Sequence, residues 1–233
     1  YSFTNAVTEI KVGPRATVYH YRIQQQSDQS FHVGTQEVVL EHGSTYASVA
    51  TDLGGKLTRN NLNVLMADEE CSCMLNGVYV VGDSQHIDNQ VIIDHAKPHT
   101  TSRELYKGIL NGQSRSVFHG SIIVRQGARK VNARQEDKNL LLSDQAEADT
   151  KPAFWIYCDD VKCGHGAACG KIDENAMFYL RSRGLDERTA RNLLTRAFVT
   201  EVIDSIAYVP LRQHIDHLVM SKLQNWIGDD YTT

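Results

Sequence analysis

The densest run of chemistry-bearing residues is Asp159-Asp160-Val161-Lys162-Cys163-Gly164-His165-Gly166-Ala167-Ala168-Cys169. It holds two carboxylates, two thiols and an imidazole, and its glycines let the backbone turn so that side chains can reach a common point. Thiolate is a soft ligand and imidazole a borderline one, a pairing that suits iron, zinc or copper(I). As a zinc site the run is irregular, because Cys-x-His followed by x3-Cys matches no usual finger spacing. The same residues also fit a glycine-rich bend around a buried free cysteine, so ligation and bend both stand on residue types alone.

A second run, Asp94-His95-Ala96-Lys97-Pro98-His99-Thr100-Thr101, would give a zinc or iron hydrolase a partial ligand set in Asp94, His95 and His99. One loop is too few ligands, and Pro98 stiffens the approach to His99. Cys71-Ser72-Cys73 would bring two thiols to one face if it lies on a strand, where residues i and i+2 point the same way; core packing is the alternative. There is no GxxxxGK[ST] phosphate loop, no GxSxG elbow and no GxGxxG after a strand, so the chain by itself is not expected to bind or hydrolyse ATP. The basic residues between Arg125 and Lys130 lack interleaved aromatics and read as a solvated turn.

The elements that must position these residues change character along the chain. Up to about Gly170 the apolar residues fall in short runs, such as Val78-Tyr79-Val80-Val81, Val91-Ile92-Ile93 and Phe154-Trp155-Ile156-Tyr157, each flanked by turn-tolerant residues. This predicts many short strands. Thr45–Thr51 exchanges apolar and polar sides as a strand with one wet face would. A two-sheet sandwich and a parallel β-helix both fit, and no fixed-length repeat is visible to favour a regular solenoid.

After Gly170 the spacing becomes helical. Asp173 caps a first helix with Ala176, Met177 and Leu180 on one face, and Gly184 suits its left-handed stop. Asp186 caps a longer one with the stripe Ala190, Leu193, Leu194, Ala197, Phe198, Val202 and Ile206. Pro210 opens a third, with Leu211, Ile215, Leu218, Val219, Leu223 and Trp226. Three such helices cannot bury every stripe among themselves, which points to a partner surface.

With 233 residues, 41% of them hydrophobic and 22% charged, the chain can bury a real core, which excludes wholesale disorder. A formal charge of −4 weighs against a general nucleic-acid binder. The longest apolar run, Ala153–Cys158, is far below the roughly 20 residues needed to cross a bilayer, so a membrane role is not expected. Five unevenly placed cysteines do not form a disulfide framework and point to a reducing cytoplasm. The start at Tyr1, inside strand-like sequence, reads as part of a longer chain.

A longer order of motifs then becomes significant: Asp94-His95-x3-His99-Thr100-x-Ser102-Arg103, Tyr106-Lys107-Gly108, Ser116-Val117-Phe118-x-Gly120, Ala133-x-Gln135, Asn139-Leu140-Leu141-Leu142-Ser143, Lys151-Pro152, Asp159–Ala167 and Leu180–Gly184. In this order the chain resembles the SufB/SufD family of iron–sulfur cluster assembly scaffold proteins, on its SufD side. The match is dense over about residues 90 to 210 and looser before. The resemblance implies a mainly β fold, a right-handed parallel β-helix over 1–170 followed by a small C-terminal α-helical domain over 171–233, without the family's N-terminal helical region. It implies a non-catalytic scaffold subunit in a complex of SufB, SufC and SufD. SufC, an ATPase similar to ABC-transporter nucleotide-binding subunits, would dock on the C-terminal helices, and SufB would pair through the β-helix. In the family a SufD histidine of the Cys-x-His-Gly segment is proposed to help a SufB cysteine hold a transient iron–sulfur cluster at their interface. By position that residue is His165, with Cys163 as the secondary ligand and Cys169 incidental. Asp94, His95 and His99 then read as structural. The rival functions are the metal-dependent hydrolase and a purely architectural partner; a homodimer is one form open to the isolated chain, whose exposed strand edges predict some self-association.

Overall fold

The computed structural model describes residues 1–227. Two six-stranded sheets run side by side, and every pairing in them is parallel. The first contains, in spatial order, β1 (Ser2–Val12), β3 (Ser30–Leu40), β5 (Leu57–Met66), β7 (His86–His95), β9 (Arg115–Val124) and β11 (Glu147–Ile156). The second contains β2 (Thr17–Gln24), β4 (Thr45–Asp52), β6 (Ser72–Val81), β8 (Thr101–Leu110), β10 (Asn132–Leu141) and β12 (Lys162–Gly170). Since the chain alternates between the sheets at each step, it winds as a parallel β-helix, which decides against the sandwich.

The register explains why no repeat shows in the sequence. Phe31 pairs with Leu57 but Arg115 with Glu147, so a coil takes anywhere from 26 to 32 residues. Strand length stays near ten residues while the turns absorb the difference.

Inside the shaft a continuous apolar core runs from Val12 and Leu40 through Met66, Ile93 and Phe118 to Val124 and Ala133. Long side chains cross the shaft where glycine leaves room. A Cβ on Gly108 would lie 2.1 Å from the Tyr79 ring, and one on Gly120 1.9 Å from Gln135 Nε2. The motif glycines of Tyr106-Lys107-Gly108 and Ser116-Val117-Phe118-x-Gly120 are thus steric notches.

Three helices follow: α1 (Glu174–Ser182), α2 (Glu187–Asp204) and α3 (Val209–Ile227). Asp173 and Asp186 cap the first two, accepting from the amides of Asn175 and Thr189 at 2.9 Å each, and Gly184 after α1 has φ of 94°. Val199, Val202, Ile203, Ile206, Ile215, Val219 and Leu223 form a second core with Val49, Val78, Val80, Ile109 and Leu140 on the outer face of the second sheet. The central strands β6 and β8 are therefore buried on both faces in their second halves. Residues 228–233, which the expected helical domain includes, lie outside the described residues.

Two expectations need correction here. Thr45–Thr51 has no lasting wet face: Tyr46 enters the shaft core, while Val49 on the opposite side packs under the helices. On α2 the buried stripe is turned from the expected one, with Thr195 and Val199 inward and Leu193 and Ala197 exposed, because the sheet beneath selects the face. No helix among the described residues is long and apolar enough to cross a membrane.

Candidate functional site

The Asp159–Cys169 run forms the approach to, and the whole inner face of, the last strand. Among the described residues β12 pairs only with β10 and is one edge of its sheet, as β11 is of the other. Register sets Cys163 beside Ala133, His165 beside Gln135 and Cys169 beside Asn139, all on the side of β10 that faces the shaft. With no further coil to cover them, His165 and Cys169 are exposed while Cys163 is half-buried against the core. His165 and Cys163 thus share one face at the open mouth, as strand geometry requires of i and i+2.

Around the mouth, the His165 ring packs on Phe154 of β11, centroids 4.6 Å apart and planes at 54°. Burial pushes the Cys163 thiol up, opposed by a hydrogen bond with the backbone of Ala133. Cys169 is likewise raised by partial burial and then by the charge of Asp137. A groove of about 560 Å³ runs along this edge, lined by Arg103, Arg134, Gln135, Cys163 and His165. Trp155, Ile156 and Tyr157 on the facing rim are exposed. Asp160 turns outward to Lys130 at 2.9 Å.

Beneath the mouth the shaft is polar, which the sequence did not disclose. Gln135 donates to Glu104 Oε2 at 2.7 Å, and burial lifts the Glu104 carboxyl to about 8. Tyr79 donates to Asn139 Oδ1 at 2.6 Å, and Asn139 donates to Asp137 at 2.8 Å; burial raises Asp137 to about 6. β10 reads Asn-Ala-Arg-Gln-Glu-Asp-Lys-Asn, polar at nearly every position, so alternation offered no way to tell its inner side. The motif Ala133-x-Gln135 was the available signal.

The hydrolase set does not converge. Asp94 and His95 are neighbours on β7 and point to opposite faces. Asp94 is outside, bound to Arg125 at 2.9 Å. His95 is fully buried between the hydroxyls of Thr100 and Ser102, at 2.7 and 3.0 Å, and burial drops its pKa to about 4. His99 sits at φ 60° in a turn, its amide donating to the Arg129 carbonyl at 2.9 Å. Cys71 and Cys73 are both core residues, and the Cys71 thiol donates to the carbonyls of Asp68 and Glu41 at 3.1 and 3.2 Å. No group of three or more His, Cys, Asp or Glu side chains among the described residues could hold a metal ion.

Fold and edge strand together define a β-solenoid with an open end that carries imidazole and thiol. Residues 1–198 match the family model described as SUF system FeS cluster assembly, SufBD core domain, and the chain belongs to that family. It is 33% identical over 213 residues to the iron–sulfur cluster assembly protein SufD of Escherichia coli K12, covering 91% of this chain and 50% of the relative. It is 36% identical over 217 residues to an iron–sulfur cluster assembly SufBD family protein of Synechocystis, covering 93% and 48%. With the chloroplastic protein ABCI7 of Arabidopsis thaliana it shares 36% over 205 residues, covering 87% and 43%. The chain spans about half the length of these relatives.

Proposed function

We propose that this chain is the non-catalytic, SufD-like scaffold part of a SUF complex, and that its open β-helix end forms half of an interface at which an iron–sulfur cluster is built and handed on. The observation that carries this is the placement of His165 and Cys163 on the shaft-facing side of an uncovered edge strand. One protomer supplies an imidazole and a thiol there, and a partner must supply the rest. The unpaired backbone groups of β11 and β12, with Trp155, Ile156 and Tyr157 beside them, suit a second β-helix added end to end, in the complex SufB. In isolation the same edges favour a homodimer. Imidazole is a weaker donor than thiolate, which fits a cargo cluster that is meant to leave.

SufC is assigned to the helices, where Phe178 and Leu193 are exposed and a groove of about 990 Å³ is lined by Leu142, Ile172, Met177, Phe178 and Leu185. ATP chemistry belongs to SufC. The division into a β-helix domain, 1–170, and a helical domain, 171–233, follows these two partner surfaces. Five free cysteines agree with a cytoplasmic setting.

The test is co-expression of the full-length parent with SufB and SufC, as wild type and as His165→Ala, with iron and sulfide measured on the purified complex. A normally assembled complex with collapsed cluster content is the expected result. Unchanged content would make this subunit an architectural partner.

A further inference from the structure

Gln135 has no exposed surface, yet its amide is only half used. The nitrogen donates to Glu104, while Oε1 is buried with no hydrogen-bond partner among the described residues. An unsatisfied buried acceptor is unfavourable, so the position calls for a donor. Gly120 provides the space the amide occupies, since any Cβ there would overlap Gln135 Nε2. Glu104, itself fully buried, accepts from the nitrogen through Oε2, and its own Oε1 is likewise buried without a partner among the described residues. Ionised, the carboxylate can only accept, so it offers the Gln135 oxygen no donor. The register neighbour of Gln135 on the open side is His165, one strand spacing of about 4.8 Å away. The His165 ring is steadied by Phe154.

We propose that Gln135 is a positioning residue for His165: its Oε1 accepts the N–H of the ring nitrogen nearer the shaft, leaving the other nitrogen unprotonated and turned to the mouth. Glu104 acts at one remove by fixing which way the Gln135 amide faces. Histidines that bind metals commonly donate their second ring N–H to such an acceptor, which sets the tautomer and raises ligand basicity. Here the acceptor comes from the preceding coil. Only the last step, ligation of cluster iron by the free nitrogen, rests on the function proposed above; the tautomer is set before any cluster is bound.

The experiment is ¹⁵N NMR of histidine-labelled whole chain at pH 8, where an ordinary imidazole is neutral, with His165 assigned by its loss in His165→Gln. Wild type is expected to show one dominant His165 tautomer. Gln135→Met, which keeps length and removes the acceptor, shifts the ratio toward that of free imidazole. Glu104→Gln, which lets the neighbouring amide turn over, gives an intermediate ratio. An unchanged ratio in folded Gln135→Met overturns the proposal; if that variant does not fold, an unchanged ratio in Glu104→Gln overturns it. In the assembled complex, Gln135→Met should retain iron about tenfold less well. A shifted tautomer with undiminished iron would uphold the hydrogen bond and overturn ligation by His165 instead.

Discussion

Lys107 on β8 meets Glu201 on α2 at 2.7 Å, and the two ends of this pair live in different solvents. The Lys107 side chain is 8% exposed and lies 5.4 Å from the Phe198 ring, whereas Glu201 is 64% exposed. Removing the exposed partner should therefore do more harm than removing the buried one. Glu201→Gln leaves a buried ammonium without its carboxylate and is expected to lower stability by about 1–2 kcal/mol. Lys107→Met keeps the stem against Phe198 and should stay within about 1 kcal/mol. Urea denaturation of the two variants gives the order, and the reverse order would show that the pair is held in water at both ends.

Glycine substitutions separate notch from surface. Gly108→Ala drives a Cβ into the Tyr79 ring and toward Asn139 Oδ1, 2.5 Å away, where Tyr79 donates its hydroxyl. Overpacking together with a lost buried hydrogen bond should destabilise by about 3 kcal/mol. Gly166→Ala meets nothing within 4 Å and should change stability by less than about 0.5 kcal/mol. Thermal melts of both variants check the contrast.

Glu104 makes stability depend on pH. Desolvation raises its pKa from 4.5 to about 8 in the fold, so between those values the folded chain holds a proton that the unfolded chain has released. Its stabilising contribution is full below pH 4.5, falls as pH rises and is gone above about 8. His95, lowered from 6.5 to about 4, and Asp137, raised to about 6, act mostly below this window and touch only its lower edge, while Lys222, lowered from 10.5 to about 8, starts to oppose the loss only at its upper edge. Wild type should lose stability between pH 6.5 and 8 at up to about 1.4 kcal/mol per unit. Glu104→Gln should lose this downward slope over the window, read by denaturant midpoint.

Thiol labelling should follow burial. Exposed Cys169 reacts first with an alkylating reagent, half-buried Cys158 and Cys163 follow, and buried Cys71 and Cys73 react only on unfolding. Mass spectrometry over time resolves the order, and early labelling of Cys73 would contradict the packing of the shaft.

Legibility in the sequence tracked how local each determinant is. Asp173, Asp186 and Gly184 announced their helix ends because capping is settled within four residues. The helical period places Leu193 in the apolar stripe and passes over Val199, because which side of α2 faces inward depends on Val78 and Ile109, about a hundred residues away in sequence. The strands were visible but the coil was not, since turns of unequal length hide the period. His165 and Cys163 stand out in the sequence by residue type and motif order. Their common face was conditional on a strand, and their position at an uncovered end depends on pairing with β10. The layer beneath them stayed hidden because Glu104, Gln135 and Asp137 look like solvent-facing residues until the glycine notches and mutual hydrogen bonds are seen.

In a stack of coils each layer touches only its neighbours, so such a fold can unravel from either end one layer at a time. The second core changes that, because the helices lie across Val49, Val78, Ile109 and Leu140, on four successive strands of one sheet. They act as a splint: the middle coils must open together or not at all, while β1 at one end and β11 and β12 at the other are left outside it. In hydrogen exchange this predicts a single slow block from β4 to β10 bounded by fast-exchanging ends. The terminal strand that carries His165 would then be able to loosen and re-form without disturbing the rest of the shaft.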